Sequence, residues 1–115
     1  MPKPERDRDI IEHMLRYCHQ IETAHSDFDH SKARFLASTT YQNAVAMCIL
    51  QIGELSNHLS EPFKALHSDI PWKKIRGMRN YVAHEYGSVD PETLWFTSTH
   101  SIRDLCSFCE TYLAS

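Results

Sequence analysis

Apolar residues recur along the chain at three- and four-residue steps, the spacing that keeps them on one face of an α-helix. Ile10, Met14, Tyr17, Cys18, Ile21 and Phe28 form one series, and Tyr41, Val45, Cys48, Ile52, Leu55 and Leu59 a second. Leu94, Ser98, Ile102, Leu105, Cys109 and Leu113 form a third, while Trp72, Ile75, Val82 and Tyr86 follow at looser helical spacing. No Asn-Gly or Asp-Gly pair and no sustained alternation marks a hairpin or a strand. Pro62, Pro71 and Pro91 read as helix starts, because proline at a first helical position gives up only a donor that would be orphaned there. Asp90-Pro91-Glu92 is the clearest of these, with a capping carboxylate and an acid in the positive first turn. The pattern predicts helices near 6–26, 31–59, 71–86 and 91–113, with a short turn of helix near 61–67. Such stripes must be buried against one another, so the fold class is all-α, an antiparallel bundle of four to five helices in one domain spanning 1–115. Gly53 sits inside the most apolar helix, at about 1 kcal/mol against alanine, and is expected to let another helix come close.

Composition narrows the function classes. A chain of 115 residues fits one domain that buries roughly two-thirds of its unfolded surface. Three glycines and ordinary charge exclude a disordered or loop-rich scaffold. The longest apolar run, Ala44 to Leu50, is far short of the ~20 residues of a membrane span. Met1 to Asp9 is charged and lacks a signal-peptide stretch, so a cytoplasmic protein is expected. Cys18, Cys48, Cys106 and Cys109 fall in helical patterns and are expected to be reduced, buried and inert. Cys106-x-x-Cys109 has no second pair at zinc-ribbon spacing and no βαβ context. None of the eight His forms an H-x-x-x-H or H-E-x-x-H site, so neither metal nor cofactor is expected.

The net charge of −3 argues at first sight against nucleic acid. Its distribution reverses that. Between Pro71 and Gly87 stand Lys73, Lys74, Arg76 and Arg79 against Glu85 alone, a local +3 that leaves −6 for the rest. A basic patch of this kind attracts phosphate whatever the total. Asn80 and His84 are four apart and share a helical face, whereas Arg79 and His84 stand roughly 140° apart around the axis. Either the long arginine stem bridges that gap, or a second copy of the chain supplies one member. His84 falls in the last turn, with Gly87 reading as the helix-ending residue, and a histidine there is suited to proton transfer near neutral pH.

Arg79-Asn80-x-x-x-His84-x-Tyr86 resembles the Arg-x-x-x-x-His-x-Tyr motif of the HepT-like toxins in the HEPN superfamily. Ile52-Gly53-Glu54, Ile70-Pro71-Trp72, Gly77-Met78-Arg79-Asn80, Val89-Asp90 and Leu94-Trp95 are similar to that family's sequence in the same order, over roughly residues 8 to 113. Two positions depart from it: Glu85 stands where a small residue is common, and Gly87-Ser88 where an aromatic often follows. The resemblance implies an HEPN bundle and a metal-independent endoribonuclease toxin acting on RNA. In it His84 moves protons, Arg79 clamps phosphate and Asn80 orients the phosphate or His84. It also implies a homodimer through the motif helix. A minimal nucleotidyltransferase antitoxin, as partner, would silence the toxin by AMPylation of Tyr86. Tyr86 can equally be an aromatic packed over the helix end. Glu54 is a supporting candidate, either setting the angle of Arg79 or Arg76 or standing as an ordinary acid. Lys73, Lys74 and Arg76 are candidate RNA contacts or solubilising charges, and Gly77 a point of close approach for a helix or a phosphate. Trp72 reads as core rather than as a base-stacking platform. The rival class is a non-catalytic HEPN module that binds a nucleotidyltransferase or a nucleotide.

Overall fold

Ser38 divides what the periodicity joins. In the computed structural model, which describes residues 4–85 and 87–115, the expected helix 31–59 is two helices, α2 (Lys32–Ala37) and α3 (Thr39–Asn57). Ser38 between them is extended, at φ −121° and ψ 110°, and its hydroxyl accepts the Tyr41 N–H at 3.1 Å. A serine followed by two threonines offers the backbone side-chain partners in place of a helical ladder, and one cap won here. The amide of Gln42 then donates to the Phe35 and Leu36 carbonyls at 2.9 and 3.2 Å, satisfying the exposed end of α2.

The remaining boundaries fall close to the punctuation. α1 is Pro4–Asp27, α4 is Glu61–Leu66, α5 is Trp72–His84 and α6 is Pro91–Phe96. Pro91 is the first residue of α6, Pro62 the second of α4, and Pro71 the N-cap just before α5. Asp90 caps α6 as the sequence predicts, its carboxylate accepting the Glu92 N–H at 3.3 Å. The last expected helix is interrupted: a wide π turn, Thr97–Ser101, separates α6 from α7 (Ile102–Ala114). Hydroxyls bend the ladder there, with Ser98 and Thr99 both donating to the Trp95 carbonyl at 3.1 and 2.8 Å. α5 ends at His84, two residues earlier than expected, with Glu85 as its C-cap. Gly87 lies beyond the cap at φ 97°, a left-handed conformation open to glycine. The described residues contain no strand, and the architecture is an all-α bundle.

α3 is the central element, packed against α1 and α5 and touched by α2 and α6, while α7 lies along α1. The predicted stripes face inward: Ile10, Met14, Cys18 and Ile21 of α1, Tyr41, Val45, Cys48 and Ile52 of α3, and Leu94, Ile102, Leu105 and Cys109 near the C-terminus are buried. Each large side chain so removed from water contributes about 1.5–3 kcal/mol. All four cysteines are free and buried, and burial raises the thiols of Cys48 and Cys109, the latter to about 12. Among the described residues no helix is long and apolar enough to cross a membrane.

Buried polar groups also tie the bundle together. Asp7 takes the backbone N–H and hydroxyl of Ser60 at 2.9 and 2.7 Å, fastening the start of α1 to the cap of α4. His25, 4% exposed, joins three elements: Tyr41 O–H donates to its Nδ1, and its Nε2–H donates to Ser98 Oγ at 3.0 Å. That tautomer follows because the Ser98 hydroxyl is already donated to Trp95. Burial, and secondarily the charge of His30, holds His25 below its ordinary 6.5. The unfolded chain therefore binds this proton at a higher pH than the folded one. Stability is expected to be fully present above pH 6.5 and to fall as the pH drops below it, by at most ~1.4 kcal/mol per pH unit, levelling once folded His25 is itself protonated. Urea unfolding of wild type and His25→Gln between pH 5 and 8 checks this, and an unchanged slope in the variant would acquit His25.

Candidate active site

α5 carries every basic residue of the candidate segment, and one side of it is anchored. Val82 is fully buried, Ile75 and Met78 pack against the core, and the helix lies chiefly on α3. Its start is held by Trp72, whose indole N–H donates to the His67 carbonyl at 3.1 Å. The Trp72 ring stands among Phe63 and Phe108, with centroids 6.2 and 6.1 Å away, so it is part of an aromatic cluster. Its end is held by Tyr81, whose phenol oxygen accepts the Asp90 N–H at 2.9 Å and so closes the connection to α6.

Gly53 determines how closely α5 approaches. A Cβ at Gly53 would stand 2.8 Å from Arg79 Cγ and nearer still to Arg79 Cβ, so only a hydrogen fits where α3 and α5 meet. That contact sets Arg79 beside Glu54, one residue along α3, and the Glu54 carboxylate pairs with Arg79 Nε. Arg79 also donates from a terminal nitrogen to Asn80 Oδ1 at 3.1 Å. The pair is 29% and 41% exposed in its side chains. At such exposure an ion pair adds little stability, about 0–1 kcal/mol. Its effect is to fix the direction of a guanidinium at the surface.

The opposite side of α5 is open. Lys73, Gly77, Asn80 and His84, spaced four, three and four apart, form one exposed stripe. A Cβ at Gly77 would meet nothing within 4 Å. His84 is the last residue of α5, beside the helix's free carbonyls at the negative end of its dipole. Within one chain Arg79 pairs with Glu54 and donates to Asn80 of the open stripe, while its position stands roughly 140° around the helix axis from that of His84. Lys73 and Lys74 are exposed, and Arg76 donates to Asn57 Oδ1 at 3.3 Å. Tyr86 lies outside the described residues.

Several residues of this neighbourhood were not marked by sequence reasoning. Asn57 and Tyr81 hold Arg76 and the α5–α6 connection, and neither belongs to a motif or an apolar stripe. Phe96, 59% exposed, is an aromatic displaced from the Leu94–Ser98 register, and that displacement was the available signal. A cleft of about 560 Å³ between α1 and the π turn is lined by His19, Glu22, His25, His30 and Arg103 and includes no residue of α5.

An all-α bundle that presents an Arg-Asn-x-x-x-His helix to solvent, braced by a Gly-Glu pair on the central helix, is consistent with the HEPN bundle that the motif resemblance implies. The signature described as "Ribonuclease HepT-like" matches residues 8–112. The chain belongs to this HepT-like family, a family of ribonucleases. It is 38% identical over 71 residues to a Thermococcus cleftensis protein named "Probable ribonuclease HepT", covering 62% of this chain and 64% of that one. Two further relatives also carry RNase names. The Caldanaerobacter subterraneus protein is 31% identical over 85% of this chain and 86% of its own length. A Methanocaldococcus jannaschii protein is 28% identical over 89% and 87%. No solved structure matches the chain.

Proposed function

We propose that the chain is a metal-independent endoribonuclease toxin, acting in the cytoplasm as a homodimer and held in check by a nucleotidyltransferase antitoxin. The observation that carries the chemistry is the division of α5. Arg79 is braced by Glu54 on one side, while Asn80 and His84 share the open stripe with Gly77. Two copies crossing at Gly77, where a Cβ would meet nothing within 4 Å among the described residues, bring two His84 and two Arg79 to one cleft.

In such a cleft one His84 takes the proton of an RNA 2′-hydroxyl as that oxygen attacks the adjacent phosphorus. The bond from phosphorus to the 5′ oxygen breaks, and the second His84 gives that oxygen a proton. The products are a 2′,3′-cyclic phosphate and a 5′-hydroxyl end. Arg79 meets the charge that develops on the phosphorane, and Asn80 supplies a neutral hydrogen bond. Lys73, Lys74 and Arg76 draw the strand to α5. Tyr86, beside this site in sequence, is the proposed acceptor of AMP from the antitoxin. Adenylate there adds bulk and negative charge where RNA phosphate must bind.

Purified chain is expected to cut single-stranded RNA in the presence of EDTA, leaving cyclic-phosphate ends. Incubation with the antitoxin and ATP is expected to add AMP mass that Tyr86→Phe does not acquire, and to stop the cutting. RNA left intact by the wild type would leave a binding module for the nucleotidyltransferase. AMP mass that persists in Tyr86→Phe would remove that residue from the mechanism.

A further inference from the structure

We propose that the groove between α5 and the α6–π–α7 rod is a base-binding subsite, in which one unpaired nucleobase of single-stranded RNA stacks on Phe96. The proposal rests on the ribonuclease reading and adds to it a contact for the substrate away from the reacting phosphate. Among the described residues Phe96 is the one exposed Phe, Tyr or Trp, at 59%. Its ring lies parallel to that of His100, with centroids 4.4 Å apart and planes within 12°. His100 Nδ1 stands 3.2 Å from the Phe96 carbonyl oxygen and 3.0 Å from the Thr99 hydroxyl, so the imidazole is held in place beneath the phenyl. Phe96 immediately precedes the π turn and His100 lies within it, while Thr97 and Ser98 of the same turn face inward. The widened turn thus fixes a two-ring platform at the surface, and such turns recur at functional sites.

The groove beside the platform has a volume of about 450 Å³, with an apolar floor that includes Ile52 and Met78. That is within the range of small-molecule sites. Its edge is polar, with Lys74 from α5 and Ser101 and Asp104 from the rod. A flat aromatic face, acceptors for an exocyclic amine and a cation for phosphate are together what an unpaired nucleotide requires. A second copy of the chain seated here would have to match the exposed Lys74 and Asp104 charges at the edge with charges of its own. A nucleotide meets them with its own edge and phosphate.

Placement ties the groove to the chemistry, because α5 supplies both its wall and the candidate catalytic stripe. Lys74 and His84 are ten residues apart, ~15 Å along the axis. The subsite therefore takes a base a few nucleotides from the scissile bond.

The test uses full-length protein carrying His84→Ala, so that RNA is bound and not cut, and a single-stranded RNA with 2-aminopurine at one position. Adding Phe96→Ala is expected to weaken binding ~10-fold, about the effect of losing one base–aromatic stack, and to abolish the fluorescence quench. Phe96→Trp is expected to keep both, and blunt duplex RNA to bind equally well with or without the Phe96→Ala change. Unchanged affinity and quench in Phe96→Ala would overturn the subsite. So would an equal loss for duplex RNA accompanied by dissociation to monomers in sedimentation, which would assign the groove to a second copy. If the otherwise wild-type chain cuts RNA while Phe96→Ala binds normally, the subsite alone fails. If the wild type neither binds nor cuts RNA, the ribonuclease reading fails with it.

Discussion

Replacing His84 by alanine is expected to slow RNA cleavage by ~10²- to 10⁴-fold, the contribution of one positioned acid–base group, while thermal unfolding hardly moves. The separation of the two effects follows from where His84 stands. It is exposed, it is the last residue of α5, and among the described residues its ring has no hydrogen-bond partner. Nothing in the core depends on it. The favourable dipole interaction of an imidazolium at a helix end is worth only about 0.3–1 kcal/mol. Single-turnover cleavage across pH 5–9, beside a melting curve, measures both quantities on one preparation. A rate within tenfold of wild type would exclude His84 from proton transfer. A matching fall in stability would make it a structural residue.

Gly53→Ala should do the reverse of what glycine-to-alanine normally does inside a helix. The usual gain is about 1 kcal/mol, from restricting the unfolded chain and from better propensity. Here the new methyl would stand 2.8 Å from Arg79 Cγ and closer to Arg79 Cβ, and the latter, fixed to the α5 backbone, has little freedom to give. Relief requires α5 to move off α3, and overpacking of this kind costs typically ~1–3 kcal/mol. Since the same contact places Arg79 beside Glu54, cleavage is expected to fall by more than the loss of folded protein explains.

Gly77→Ala is the control on the same helix. Its added Cβ would meet nothing within 4 Å among the described residues, so the folded monomer is expected to gain up to about 1 kcal/mol. Cleavage should nevertheless drop if two motif helices cross there. Urea unfolding of both variants, with activity measured on the same samples, checks the pair. A stabilised Gly53→Ala would mean that α3 and α5 are not held at that distance.

Much of this molecule is legible from residue order. The 3.6-residue period in the chain from Ile10 to Ile21 and from Tyr41 to Leu59 marks buried faces because a helix places those positions on one side whatever surrounds it. Asp90-Pro91-Glu92 marks a helix start for an equally local reason, and α6 begins at Pro91. The breaks were less legible. Ser38 breaks the helix expected over 31–59, and the Thr97–Ser101 turn interrupts a stripe whose apolar spacing continues past it. Hydroxyls close to the backbone can cap, bend or do neither, and packing decides among these. His25 shows the same limit for polar residues. One histidine on an apolar face does not reveal that Tyr41 and Ser98, 16 and 73 positions away, will meet its two nitrogens.

By itself the sequence determined the class: helices from their period, the bundle from the need to bury those stripes, and the family from an ordered set of short motifs. It also located the basic segment that the net charge of −3 averages away. Only the tertiary structure decided which way each motif residue faces. Gly53 brings α3 close enough to α5 for Glu54 to hold Arg79, which donates in turn to Asn80. The wide turn after α6 leaves Phe96 in solvent beside α5. These are relations between distant parts of the chain, set by interhelical distance and by the register of a bent ladder, and neither is a property of local sequence.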